Sequence, residues 1–114
     1  GRQIRDWLFV LDHCSAIELV ALMGKKGEIY NISAGNELPN IEIIRKILRS
    51  LGKDENLIEY VEDRKGHDFR YSMNSDKIRA IGWKPKTALD EGLFITVDWY
   101  VKNRDWWENL IRYI

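Results

Sequence analysis

The longest patterned stretches of this chain are helical, and the strand-like runs between them are few and short. Apolar residues recur at three- and four-residue spacing in three segments. The first runs from Asp12 (Cys14, Ile17, Val20/Ala21), the second from Asn40 (Ile41, Ile44, Ile47, Leu48, Leu51) and the third from Leu89 (Leu93, Val97, Tyr100). This is the period of a helix that buries one face. Strand character is confined to "RDWLFV" (5–10), "EIYNI" (28–32) and the alternating run "LIEYVE" (57–62). Strands this short, beside helices this long, usually complete a sheet begun elsewhere. The pattern predicts a mixed α/β chain of order β-α-β-α-β, a charged loop, then α-α, with about four helices.

Punctuation along the chain agrees. Asp12 is an acceptable helix N-cap and Gly24 ends that helix. Pro39 sits where a helix start tolerates proline, and Gly52 is a good residue just past the end of the 40–51 helix. A short helix over 75–81 stops at Gly82, "WKPKT" is a loop, and a helix from Leu89 to about Asn103 leads into a last amphipathic turn bearing Trp106, Trp107, Leu110 and Ile111. With 114 residues and no internal repeat, the chain suits one domain with a modest core.

Eighteen basic and eighteen acidic side chains cancel, so nothing in the balance points to nucleic acid or an anionic membrane. No apolar run is long enough to span a bilayer, and no signal peptide is visible. Cys14 is alone, which excludes an internal disulfide and a cysteine-based zinc site; it falls on the apolar stripe and reads as core, in a reduced cytoplasmic setting. Three of the five tryptophans lie in the last sixteen positions. The helical spacing of Trp99, Tyr100, Trp106 and Trp107 favours docking onto a core or a partner over a ligand platform.

Most catalytic signatures are missing. Neither G-x-G-x-x-G nor G-x-x-x-x-G-K-[ST] occurs, and there is no G-x-S-x-G elbow. His13 and His67 lack metal-type partners at helical spacing, and His13 reads as structural. The acid pairs Asp54-Glu55 and Asp90-Glu91 read as helix starts or solvated positions. What remains is "DRKGHDFRY" (63–71). Arg offers bidentate donors matched to phosphate oxygens, and Arg5 and Arg64 each sit at the end of a predicted strand. Gly66 permits close backbone approach, and His67 can donate to an oxyanion. Asn40 opens a predicted helix, where free N–H groups favour an anion. Together these could hold a diphosphate. On composition alone, a solvated charged turn is the simpler reading.

Several blocks change that balance. "GRQIRDWLFVLDH", "GEIYNIS", "NELPNIEI", "DRKGHDFRYSMNSDKIRAIGWKPKTALDEGL" and "TVDWYVKNRDWW" occur in one order along nearly the whole chain. In that order they resemble the C-terminal, substrate-binding part of the dTDP-glucose 4,6-dehydratases, lyases of deoxysugar biosynthesis among the extended short-chain dehydrogenase/reductases. The resemblance implies a reaction in which NAD oxidises C4 of the glucose, water leaves across C5 and C6, and the hydride returns to C6. It implies that the NAD site, the Tyr-x-x-x-Lys pair and the Asp-Glu elimination pair belong to an N-terminal NAD domain. None of these is found here; Tyr60…Arg64 and Tyr100…Arg104 end in arginine. This chain alone is therefore expected to be inactive, with no catalytic residue of its own.

What the resemblance carries over is a grip on the nucleotide-sugar diphosphate. Arg5 matches a phosphate-binding arginine, Asn40 a substrate-contacting asparagine, and Arg64, Lys65, Gly66, His67 and Asp68 the substrate-binding loop. Lys65 stands where proline is usual, Phe69 where arginine is common, Pro39 where a helix-capping threonine is frequent, and Ala34 where glycine is usual. Lys65 and Phe69 bear on sugar and base preference. The resemblance further implies that residues 1–35 pack on the NAD domain, so that the exposed apolar faces favour a homo-oligomer. A related nucleotide-sugar 4-epimerase or sugar dehydratase, or a non-enzymatic module of this fold, is the alternative.

Overall fold

A computed structural model describes residues 1–111. It contains five α-helices and a small sheet: β1 (Ile4–Asp6), α1 (Val10–Met23), β2 (Glu37–Pro39), α2 (Asn40–Ser50), a 3-10 turn (Glu55–Leu57), α3 (Asp76–Ala80), α4 (Leu89–Lys102) and α5 (Arg104–Ile111). β1 and β2 pair antiparallel, with Arg5 opposite Leu38. The other edge of β1 takes up the charged segment: Ile4 N donates to Phe69 O at 2.7 Å, Tyr71 N donates to Ile4 O at 3.1 Å, and Ile4 and Arg70 form a parallel bridge. β2 was not anticipated. Pro39 can occupy it because an edge position has no use for the missing N–H.

The buried cluster is Ala16, Ile78 and Trp83, with Leu8, Leu19, Val20, Tyr30, Ile32 and Ile81 packed around it. Its geometry starts from a local device. α3 ends at Gly82, whose φ of 103° suits a residue without a Cβ. Gly82 N donates to Arg79 O and Trp83 N to Ile78 O, the two bonds of a Schellman motif. That motif brings Trp83 back onto Ile78, and the indole N–H reaches Ser15 Oγ at 3.1 Å on α1. The same pair of bonds closes α2 at Gly52. α4 crosses the Trp7–Phe9 segment closely; a Cβ at Gly92 would sit 2.9 Å from that of Phe9.

Several expectations need correction. α1 begins at Val10, so Asp12 lies inside its first turn; it is buried, and its carboxylate accepts Thr87 N at 2.9 Å. The buried stripe of α1 is Asp12 and Ala16, and Cys14 is exposed, as is His13. α1 is apolar on nearly every side, so the hydrophobic period alone could not say which side meets the core. In α2, Ile43 and Leu48 are the buried residues, and Ile44 and Leu51 are exposed. The expected strands at 28–32 and 57–62 do not form. Tyr30 and Ile32 lie against the core and Ile29 is 81% exposed, but among the described residues no neighbouring strand supplies a ladder. Leu57 closes the 3-10 turn, and Val61 is 80% exposed.

These faces are unpartnered. Leu22 on α1 is 74% exposed and Ile17 56%. An open apolar cleft of about 700 Å³ lies between Trp7, Phe9, Ile43, Leu93, Trp99 and Trp106. The accessible surface is 9100 Å², against roughly 6,500 Å² for a folded monomer of this mass. The radius of gyration is 16.8 Å, against about 13 Å for a compact domain of this length. Self-association is therefore expected. Sedimentation at micromolar concentration should show a dimer or larger species, and Ile17→Glu should shift it toward monomer. A strictly monomeric, compact wild type would contradict this.

Candidate functional site

The site forms where the 63–71 segment is laid along β1. Arg5 points from the middle of β1 into this segment. Its Nη1 donates to Ile4 O at 2.7 Å and to Phe69 O at 3.4 Å. Its Nη2 donates to Asp68 O at 3.0 Å and to His67 Nε2 at 3.1 Å. The guanidinium also lies 4.3 Å from the centroid of the Tyr71 ring, a cation–π contact. These four bonds account for the Nη hydrogens. Arg5 therefore ties the loop to the sheet and contributes positive charge.

The loop itself turns at Gly66, with φ 70°, a left-handed conformation that glycine adopts without penalty. His67 N closes the turn onto Arg64 O. Asp63 sits at its base. Asp63 Oδ1 accepts Arg64 N at 2.9 Å and lies 2.7 Å from His67 Nδ1; Asp63 Oδ2 accepts Gln3 Nε2 at 2.5 Å. The His67 hydrogen bond, more than any other influence, holds the Asp63 carboxyl below its usual range. Asp68 accepts the Tyr71 hydroxyl, which pushes that phenol up. Glu37 on β2 anchors the far end of the segment through Ser72 Oγ and Arg70, and its carboxyl is lowered by Ser72 first and Arg70 second.

Arg64 and Lys65 stand at the exposed tip, and among the described residues no acceptor engages either side-chain cation. Asn40 opens α2, whose N-cap is Pro39 and makes no side-chain cap bond. Asn40 N donates to Gln3 O at 2.9 Å, and Asn40 Oδ1 is buried without a partner among the described residues. Arg5, His67 and Asp68 are thus in direct contact, and Arg64, Lys65 and Gly66 form the adjoining turn. Asn40 joins them through Gln3. Gln3, Asp63 and Tyr71 escaped the sequence reading. Gln3 lies just ahead of β1, two residues before Arg5, and Asp63 four before His67; those spacings were the available signal.

Among the described residues β1 and β2 pair antiparallel, so they do not form the βαβ unit whose glycine-rich turn holds a dinucleotide pyrophosphate at a helix start. No group of three or more metal-ligating side chains forms among the described residues, and no described helix is long and apolar enough to cross a membrane.

This architecture is that of the C-terminal part of the extended short-chain dehydrogenase/reductases. The chain superposes on the dTDP-glucose 4,6-dehydratase of Streptomyces venezuelae, solved with NAD, with a TM-score of 0.91 at 47% identity, covering 96% of this chain and 34% of that one. The NAD complex of the Bacillus anthracis dTDP-glucose 4,6-dehydratase gives a TM-score of 0.89 at 48% identity, covering 96% and 35%. In sequence, the Streptomyces niveus dTDP-glucose 4,6-dehydratase is 50% identical over 96% of this chain and 33% of its own. The family model described as GDP-mannose 4,6 dehydratase matches residues 1–96, and the chain belongs to that family. It spans about a third of the length of these relatives.

Proposed function

We propose that this chain is the nucleotide-sugar-binding part of a dTDP-glucose 4,6-dehydratase, and that the 63–68 turn grips the diphosphate of the substrate. One observation carries the reading. The loop is braced on β1 by Asp63, His67 and Arg5 while, among the described residues, no acceptor engages the Arg64 guanidinium at its tip. A rigid base with an unpaired, planar donor fork above it is what a phosphate oxygen pair requires. Arg5 adds positive charge, Lys65 a second cation, and the backbone from Gly66 to Asp68 a close approach. Asn40 presents a side-chain amide at the start of α2 with a buried, unpaired oxygen.

In this reading NAD and the oxidation, dehydration and reduction steps belong to the part of the relatives that this chain does not span. Residues 1–35, with the exposed side of α1, are the surface that meets the NAD domain. A cytoplasmic homodimer is the assembly proposed with it.

Calorimetry with dTDP-glucose tests the grip. Binding is expected to be weak, because a partial pocket leaves much of the ligand in water. Arg64→Ala should reduce the affinity about tenfold or more, the cost of removing a charge-assisted donor. No heat with the wild type, or the same affinity in the variant, would overturn the assignment.

A further inference from the structure

The hydrogen-bond chain under the loop has a polarity that follows from chemistry alone. Arg5 Nη2 lies 3.1 Å from His67 Nε2, and a guanidinium has only donors to offer. His67 Nε2 therefore accepts and carries no proton in this contact. The other ring nitrogen, Nδ1, faces a carboxylate oxygen of Asp63 at 2.7 Å, which accepts. A neutral imidazole has one N–H, and this arrangement directs it to Asp63. An Nε2–H tautomer would aim a donor at a donor and leave Asp63 without a donor from the ring.

Asp63 is the branch point. Its Oδ1 also takes the Arg64 backbone N–H, and its Oδ2 takes the amide of Gln3. Gln3 is buried, and its carbonyl receives the N–H of Asn40. Two residues thus touch every arm of the grip: Arg64 through its backbone, Arg5 through His67, and Asn40 through Gln3.

We propose that Gln3 and Asp63 are positioning residues that lock His67 as the neutral Nδ1–H tautomer. His67 then acts as a strut for Arg5, and not as a donor to the diphosphate. The part of this that concerns the ligand rests on the nucleotide-sugar reading above; the tautomer does not. Direct hydrogen bonding to phosphate falls to Arg64 and the loop backbone.

Long-range 15N-edited NMR on the full chain reads the tautomer. The spectra are taken at about pH 8, above the ordinary histidine value near 6.5. His13 is exposed and supplies the reference for an unconstrained ring. Wild-type His67 should show an unprotonated Nε2 and a protonated Nδ1. Asp63→Ala leaves only the Arg5 donor to bias the ring, so it should move His67 toward the distribution of His13 and weaken dTDP-glucose binding about tenfold, with an unchanged far-UV spectrum. Asp63→Asn keeps an oxygen toward His67 Nδ1 and Arg64 N, and the Gln3 amide can turn its own oxygen toward the new N–H, so this variant should retain the tautomer. Gln3→Leu removes the side-chain bond to Asp63 Oδ2 and should weaken the preference for Nδ1–H.

A proton on Nε2 in the wild type would overturn the proposal, as would an unchanged tautomer in Asp63→Ala. If the tautomer is as stated and wild type gives no heat with dTDP-glucose, the lock is supported and the nucleotide-sugar reading fails.

Discussion

Trp83→Ala is expected to leave the chain largely unfolded at room temperature. Trp83 is 5% exposed and is the largest member of the Ala16–Ile78–Trp83 cluster. Truncating a buried tryptophan costs about 3–5 kcal/mol, from lost transfer energy and the cavity left behind. Small domains hold only about 5–15 kcal/mol in total, and a chain with this much surface left outside lies near the lower end. Ala16 on α1 and Ile78 on α3 share the cluster with the indole, so the truncation takes contacts from both helices. Trp83→Phe keeps most of the volume and loses the indole N–H bond to Ser15, for about 1–2 kcal/mol. Urea titration followed by far-UV circular dichroism measures both. An unchanged midpoint in Trp83→Ala would show that the cluster is not the core.

Asp6→Ala is the second large effect. The Asp6 carboxylate accepts the backbone N–H groups of Ala34, Gly35 and Asn36, at 3.0–3.2 Å. Alanine would strip three donors of their acceptor at once. Leaving buried or half-buried donors unmade costs about 1–3 kcal/mol each at most, and partial rehydration of an exposed turn lowers the total to roughly 2–4 kcal/mol. The damage has a direction. This turn leads into β2, where Glu37 pairs with Asp6 itself, so the β1–β2 register loosens and Arg5 loses its alignment. Asp6→Ala should therefore lower the urea midpoint and speed amide exchange at Gly35 and Asn36. Asp6→Asn, which keeps one acceptor oxygen, should recover part of both. Wild-type exchange rates in Asp6→Ala would refute the account.

The difference between what could and could not be read from the sequence follows the range of the interactions. α2, α3 and α4 were legible because their periods, and the glycines at 52 and 82, act within a few residues. The last helix was legible from its aromatic spacing, although it begins at Arg104. The run 28–32 and the alternating run 57–62 were misread as strands. A strand exists only with a neighbour, and no pattern within five residues reports whether the neighbour is there. β2 failed in the opposite sense: "ELP" has no strand character of its own and is extended because β1 lies beside it.

The site divides in the same way. Arg64, Gly66 and the N-terminal position of Asn40 follow from residue type and local punctuation. Residue type and position also singled out Arg5 and His67, and the family resemblance named both as partners to the same ligand. Gln3 and Asp63 looked like ordinary polar residues, since their importance comes from meeting each other across 60 positions.

Residue chemistry along the chain thus suffices for three amphipathic helices with their stops, a charged turn built on Gly66, and cations suited to phosphate. Folding was needed for the rest: which side of α1 is buried, that Asp12 caps nothing and instead holds Thr87, and that Arg5 spends its donors on the loop while Arg64 does not. Hydrogen bonds within a turn are set by neighbours in sequence. Those that orient a side chain such as His67 depend on atoms brought together only when β1 and the 63–71 segment meet.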